Sequence, residues 1–188
     1  MRLASGDATA LAVAFFFSAA AAAADPKACA ACHGEGGNSS NPAVPSLAGQ
    51  PAQFISTALY MFRAGNRKDP QMTPMATGLS NTEMNDLAAY FSAQKAAPSR
   101  HRASPDNAAA GPSLAQKFQC MQCHGARMLG QQHIPRLAGQ QFEYLRAQLR
   151  SFKRGTRMDL DGKMSESAQP LSDKDIEVLA DYIAGLGS

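Results

Sequence analysis

Apolar residues in this chain fall at helical spacing, and they do so twice. Met84, Leu87, Ala88 and Phe91 lie at i, i+3, i+4 and i+7, and Ile176, Leu179, Ala180 and Ile183 repeat the stripe near the C-terminus. Such a stripe predicts a helix with one buried face. Ser80 with Glu83, and Ser172 with Asp175, stand just before the stripes as an N-cap and its third-position acid, which satisfies the first free amides of each helix. Segments 52–64 and 142–154 carry the same period. No stretch alternates at period two, so the pattern predicts an all-α protein without a substantial sheet.

The two stripes belong to a longer repeat. "PSLAGQ" at 45–50 returns as "PRLAGQ" at 135–140. Phe54, Ile55, Leu59, Phe62, Gly65 and Arg67 match Tyr144, Leu145, Leu149, Phe152, Gly155 and Arg157 at a constant offset of 90. "LSNTEMNDLAAYF" at 79–91 returns as "LSDKDIEVLADYI" at 171–183, with the offset grown to 92 by a two-residue insertion. This is a duplicated module. The intervening stretch 96–113 is rich in Ala, Pro and Ser and has no periodic apolar face, so it reads as a connection. The expected organisation is a first domain at 25–97, a linker at 98–112 and a second domain at 113–188.

Residues 1–24 differ from the rest. Arg2, the apolar run "ALAVAFFFSAAAAAA" and its small residues form an export-signal profile, with a mature chain starting near Ala24 or Asp25. The expected location is the periplasm, an oxidising compartment where unused thiols rarely persist. The other reading keeps the alanine-rich run attached as a packing segment.

Composition adds little until the cysteines are placed. Fifteen glycines and eleven prolines in 188 residues suit short helices joined by loops. The chain has four cysteines, arranged as "CAACHG" at 29–34 and "CMQCHG" at 120–125, one cluster per copy of the repeat. A zinc site sharing both CxxC pairs would pull two modules onto one ion. A redox-active CxxC belongs after a strand in a βαβ pattern, and no such pattern exists. CxxCH is also the attachment motif of haem c: two thiols a helical turn apart form thioethers, and the next residue's imidazole ligates iron. Two copies in register favour two covalently bound haems c, held by Cys29, Cys32, Cys120 and Cys123, with His33 and His124 as proximal ligands. Gly34 and Gly125 let the backbone run close to the ring. A module of about 75 to 85 residues also needs such a staple to complete its core.

The repeat nominates the sixth ligands. Met72 and Met164 each stand eight residues before the capping serine of their copy. The other methionines of the chain have no methionine counterpart, Met75 and Met158 being the nearest competitors. His101 and His133 are the only spare histidines and neither has a partner in the first copy, which disfavours bis-histidine ligation. Pro45 and Pro135 occupy equivalent places after each CxxCH, where a backbone carbonyl can orient the proximal imidazole.

Together "CAACHG", "PSLAGQ", "MTPMATGLS", "LAAYF" and their second copies resemble the class I dihaem cytochromes c, in particular the cytochrome c4 family. The resemblance implies two tandem cytochrome c domains related by a pseudo-two-fold axis, with haem propionates facing each other. It places axial methionines at Met72 and Met164 and histidine-orienting carbonyls at Pro45 and Pro135. It also implies a helix before each CxxCH, present as "SLAQKFQ" at 113–119 but reduced to "DPKA" before Cys29 if the signal is removed.

The function so implied is single-electron transfer in the periplasm, without substrate turnover, between respiratory-chain donors and acceptors. The expected partners are a terminal oxidase, a cytochrome bc1-type complex or a dehydrogenase. Alternatives are the cytochrome subunit of a dehydrogenase, such as a flavocytochrome sulfide dehydrogenase, and a dihaem peroxidase. The equal methionine spacing argues against the peroxidase, which needs one iron open to peroxide. The net charge of +3 is unchanged by loss of residues 1–24, and four propionates bring it near neutral, so overall charge decides little. Arg146, Arg150 and Arg154, with Lys153 and Arg157 beside them, form either a stripe that steers an acidic partner or a solvated helix face. Nucleic acid is excluded as a partner, a monomer is expected, and peripheral membrane association stays open.

Overall fold

The computed structural model describes residues 24–187. The export segment expected at 1–24 therefore lies outside the described residues, save Ala24, which packs against the first core. The first half contains α1 (Pro26–His33), α2 (Ala52–Arg63), α3 (Met72–Thr77) and α4 (Asn81–Ala93). The second contains α5 (Pro105–Lys117), α6 (Cys120–His124), α7 (Phe142–Lys153), α8 (Lys163–Ala168) and α9 (Asp173–Gly185). Among the described residues the only β-type pairing is an isolated bridge, Gln131 with Ile134.

The capped stripes form α4 and α9 as their pattern requires. Ser80 Oγ accepts from Glu83 N at 3.2 Å while Glu83 Oε2 accepts from Ser80 N at 2.8 Å. Ser172 and Asp175 repeat the exchange at 3.1 and 2.8 Å. The stripe residues Met84, Leu87, Ala88 and Phe91, and Ile176, Leu179, Ala180 and Ile183, are all buried. Each of the larger of these, the Met, Leu, Ile and Phe side chains, contributes about 1.5–3 kcal/mol when fully removed from water. Helix α2 packs on α4, and α7 packs on α9.

The segment expected to be linker over 98–112 is helical from Pro105 onward. Ser104 caps α5 by accepting from Asn107 N at 3.3 Å, and Pro105 takes the first helical position, where its missing N–H is no loss. The buried face of α5 is built from small residues, Gly111 and Ala115, which leaves no apolar stripe to read. Gly111 is required by closeness: a Cβ there would stand 2.2 Å from Tyr182 Cγ on α9. The non-helical part, 98–104, is strapped to the second half. Ser99 Oγ donates to Ala184 O at 2.6 Å, and Asp181 accepts from Ser104 N at 2.9 Å and Asn107 Nδ2 at 2.8 Å. His101 bonds Asp181 Oδ1 and stacks on Phe142 with ring centroids 5.1 Å apart.

The LAGQ loops fix each half internally and join the two. Gly49 N donates to Phe91 O at 3.0 Å and Gly139 N to Ile183 O at 3.1 Å, tying the loop to the last helix of its own half. The glutamine after each glycine reaches across instead. Gln50 bonds both backbone groups of Arg136, N–H to Oε1 at 3.0 Å and Nε2 to carbonyl at 2.9 Å. Gln140 clasps Ser46, the repeat counterpart of Arg136, at 2.8 and 2.9 Å. Both glutamines are buried, at 4% and 6% exposure. Such paired groups are strongly specifying, because either half of the bond left alone is an unsatisfied buried polar group.

Candidate haem sites

Each CxxCH is a short helix ending in its histidine. In α1, Asp25 accepts from Lys27 N at 2.9 Å and Pro26 starts the helix; α6 begins after Gln119 in a left-handed conformation. The helical path puts the two sulfurs of each motif one turn apart. All four cysteines are free thiols, Cys29 and Cys120 half-buried and Cys32 and Cys123 exposed. Burial pushes the Cys29 and Cys120 thiols up, the opposite of the activated thiolate a redox CxxC needs. Among the described residues no three His, Cys, Asp or Glu side chains are grouped as a metal site.

The histidines are nearly identical in the two halves. His33 and His124 are each 6% exposed. Nδ1–H of His33 donates to Pro45 O at 2.8 Å, and Nδ1–H of His124 to Pro135 O at 2.9 Å. Burial lowers both pKa values, with the carbonyl bond opposing it, so each ring is neutral at neutral pH. A ring whose Nδ1–H is committed to a carbonyl presents the Nε2 lone pair, the arrangement that metal ligation needs.

Gly34 and Gly125 follow with the same backbone, φ +80° in both. At Gly34 a Cβ would lie 2.1 Å from Asn38 O, so it is the chain's own turn that demands glycine there. At Gly125 no protein atom comes within 4 Å of that position. Two free thiols, a neutral oriented imidazole and a glycine turn make a donor set that fits covalent haem c, twice.

The nominated methionines stand in the first turn of two six-residue helices. Met72 is the first residue of α3 and Met164 the second of α8, both half-buried, and Met164 packs on the second core. The competitors Met75 and Met158 are 53% and 60% exposed. Sequence reasoning missed what holds these helices. Asp69 Oδ1 accepts from Gln71 N and Met72 N, both at 2.9 Å. Asp159, its counterpart at offset 90, accepts from Met164 N at 2.8 Å and Ser165 N at 3.2 Å. Burial raises the Asp159 pKa, but these donors together with Asp161 and the Ser165 hydroxyl outweigh it and leave it lowered. The repeat register, Arg67-x-Asp69 against Arg157-x-Asp159, was the available signal.

The basic stripe on α7 is largely paired within its own half. Arg146 binds Glu143 and Glu177, and Arg150 binds Glu177 at 2.6 Å. Lys153 donates to the carbonyls of Gln169 and Leu171, as Arg63 does to the matching Leu79 O at 2.7 Å. Only Arg154 of the predicted stripe is fully outward-facing, so the stripe serves α7, α9 and the loop before α9 more than an external partner.

Two CxxCH helices, two histidine-carbonyl pairs and two capped methionine helices on an all-α duplicated frame define a two-domain cytochrome c. The cytochrome c family profile matches residues 18–95 and again 108–187. A cytochrome c4 from Pseudomonas aeruginosa is 37% identical over 169 residues, covering 84% of this chain and 83% of that protein. The crystal structure of reduced recombinant cytochrome c4 from Pseudomonas stutzeri superposes with a TM-score of 0.79 at 36% identity, covering 86% of this chain and 94% of that one. The chain belongs to the cytochrome c4 family and is a dihaem electron-transfer cytochrome with two covalently bound haems c. A protein named thiosulfate dehydrogenase electron acceptor, from Stutzerimonas stutzeri, is 35% identical over 179 residues, covering 85% of this chain and 79% of its own.

Proposed function

We propose that this chain is a periplasmic electron shuttle in which His33 and Met72 ligate one haem iron and His124 and Met164 the other. The observation that carries the reading is the duplicated bond from His Nδ1 to a proline carbonyl, at 2.8 and 2.9 Å, directly behind each CxxCH. Bound haem supplies reversible one-electron exchange at iron. The chain's own part is to fix each imidazole, keep it neutral and hold the methionine helix through Asp69 or Asp159. Two protein ligands per iron leave no coordination position for a substrate, which favours electron transfer over peroxidase chemistry.

The donor we favour is a dehydrogenase of reduced sulfur compounds, on the strength of the relative named as a thiosulfate dehydrogenase electron acceptor; terminal oxidases are the expected acceptors. Absorption spectroscopy tests the ligation. A pyridine haemochrome count of two haems c is expected, with the far-red band of Met-ligated ferric haem. Met72→Ala removes about half of that band and Met75→Ala none; the reverse result would reassign the ligand. Stopped-flow reduction by a thiosulfate dehydrogenase tests the donor, and absence of transfer would remove it.

A further inference from the structure

The glutamine clasps reach further than the seam, because the amides they hold belong to the peptides that orient the two histidines. Pro45 O, which accepts from His33 Nδ1–H at 2.8 Å, and the Ser46 N–H are the two ends of one peptide group. That N–H donates to Gln140 Oε1 of the second half at 2.8 Å. Pro135 O, which accepts from His124 Nδ1–H at 2.9 Å, shares its peptide with the Arg136 N–H, and that N–H donates to Gln50 Oε1 of the first half at 3.0 Å. Each run of bonds therefore passes from a ring nitrogen through one peptide to a side chain of the opposite half.

A peptide group is flat, so fixing its N–H fixes the direction of its C=O. Gln140 Nε2 also donates to Ser46 O and Gln50 Nε2 to Arg136 O, both at 2.9 Å, so both backbone groups of the residue after proline are taken. The clasp uses backbone atoms alone, and serine and arginine serve equally at the two positions. Each glutamine is anchored in its own half: Gln50 N donates to Leu47 O at 3.1 Å and Gln140 N to Leu137 O at 3.0 Å. Neither the two histidines nor the two glutamines are more than 6% exposed, and in such surroundings hydrogen bonds in series polarise one another.

We infer that Gln50 and Gln140 are positioning residues for the iron of the opposite half, Gln140 setting the donor strength of His33 and Gln50 that of His124, an assignment that rests on the dihaem reading. A peptide whose N–H is donated carries more negative charge on its oxygen and accepts more strongly. A stronger acceptor draws the Nδ1 proton and makes Nε2 a more basic ligand, which favours ferric over ferrous iron. The affinity of each iron for an electron thus becomes a property of both halves, and the seam belongs to the redox machinery as well as to the fold.

The test uses the holoprotein and its Gln50→Met and Gln140→Met variants, which keep the length of the side chain and remove both of its bonds. A wild-type protein without two Met-ligated haems c, by pyridine haemochrome and the far-red band, overturns the dihaem reading and this assignment together; the outcomes that follow bear on the assignment alone. In the reduced, diamagnetic protein NMR observes each Nδ1–H, and the haem methyl resonances of each half, followed through a redox titration, give two separate potentials. Gln50→Met is expected to move His124 Nδ1–H upfield and raise the potential of the second haem, by up to about tenfold in its reduction equilibrium, with His33 and the first haem in place. Gln140→Met gives the mirror result at His33 and the first haem. A merely structural clasp gives a different pattern, equal changes at both haems or the larger change in the mutated half, and either overturns the assignment. Unmoved Nδ1–H resonances overturn it as well. Should one Met variant lose its haems, its counterpart carries the same crossed readout; should both, Gln50→Asn and Gln140→Asn, whose amides fall one methylene short, replace them.

Discussion

In the second half a thirteen-residue helix, α5, crosses α9 with Gly111 against Tyr182; in the first half, among the described residues, α4 is crossed by no equivalent and Tyr90, the counterpart of Tyr182, is 39% exposed. The cores follow. Among the described residues the second half gathers twelve buried residues into one cluster and the first half four, Ile55, Leu87, Ala88 and Phe91, with Met61, Phe62 and Met84 buried outside it. Yet the histidine-carbonyl bonds of the two halves differ by only 0.1 Å. The histidine-carbonyl geometry is thus the same in both halves, although Tyr182 is covered by Gly111 of α5 and Tyr90 is exposed. Site geometry therefore follows the short loop from CxxCH to LAGQ and its tie to the last helix, which are the same in both halves.

That contrast can be broken from either side. The largest effect is expected from Phe91→Ala: the ring is 2% exposed, and its loss should cost about 3–5 kcal/mol. This should unfold the first half alone, seen as a first denaturant transition in which only one haem loses its Met-ligated band. A single coincident transition for both haems would show the halves to be one cooperative unit.

Gly111→Ala strikes the opposite half. Forcing a methyl into Tyr182 should cost at least about 1–3 kcal/mol and lower the second transition while the first stays in place. Next in size, Gln50→Ala and Gln140→Ala should each cost about 1–3 kcal/mol by stranding a buried backbone pair. Because the clasps are counterparts, the two variants should agree within error in calorimetry; a large inequality would mean that one clasp dominates the seam.

The smallest effect is in pH dependence. Burial raises the Asp181 pKa, but Asn107, the Ser104 amide and His101 outweigh it and leave the carboxyl below its ordinary value. A depressed carboxylate adds stability above its unfolded pKa of about 3.9 and loses it as pH falls through the folded value. The second half should therefore weaken below about pH 4, and the first, with Ala89 at that position, should lack this component. Melting curves of Asp181→Asn, with the acid-induced difference removed, would check it.

Helices α2, α4, α7 and α9 were legible because their buried faces are large and periodic, and the candidate haem-site residues were nominated because chemistry singles out CxxCH and the repeat register singles out one methionine per copy. Helix α5 was not, since a face made of Gly111 and Ala115 has no hydrophobic stripe, and Pro112 within it reads as a breaker. "SPDN" at 104–107, a capping serine followed by proline at the first turn, was the signal to weigh against composition. Gln50 and Gln140 were visible as repeated letters, but nothing in one dimension says that a glutamine reaches across a seam rather than into water. The roles of Asp69 and Asp159 were hidden likewise, because a cap three or five residues from its amide depends on the turn between.

The reciprocal glutamine clasp has one more implication. Each half carries both the side chain that clasps and the backbone that is clasped, so two separate copies of either half would already possess a complete, closed contact. Joining them through 98–104 leaves the contact's chemistry unchanged and alters its concentration dependence, turning an encounter between molecules into a property of every molecule at any dilution.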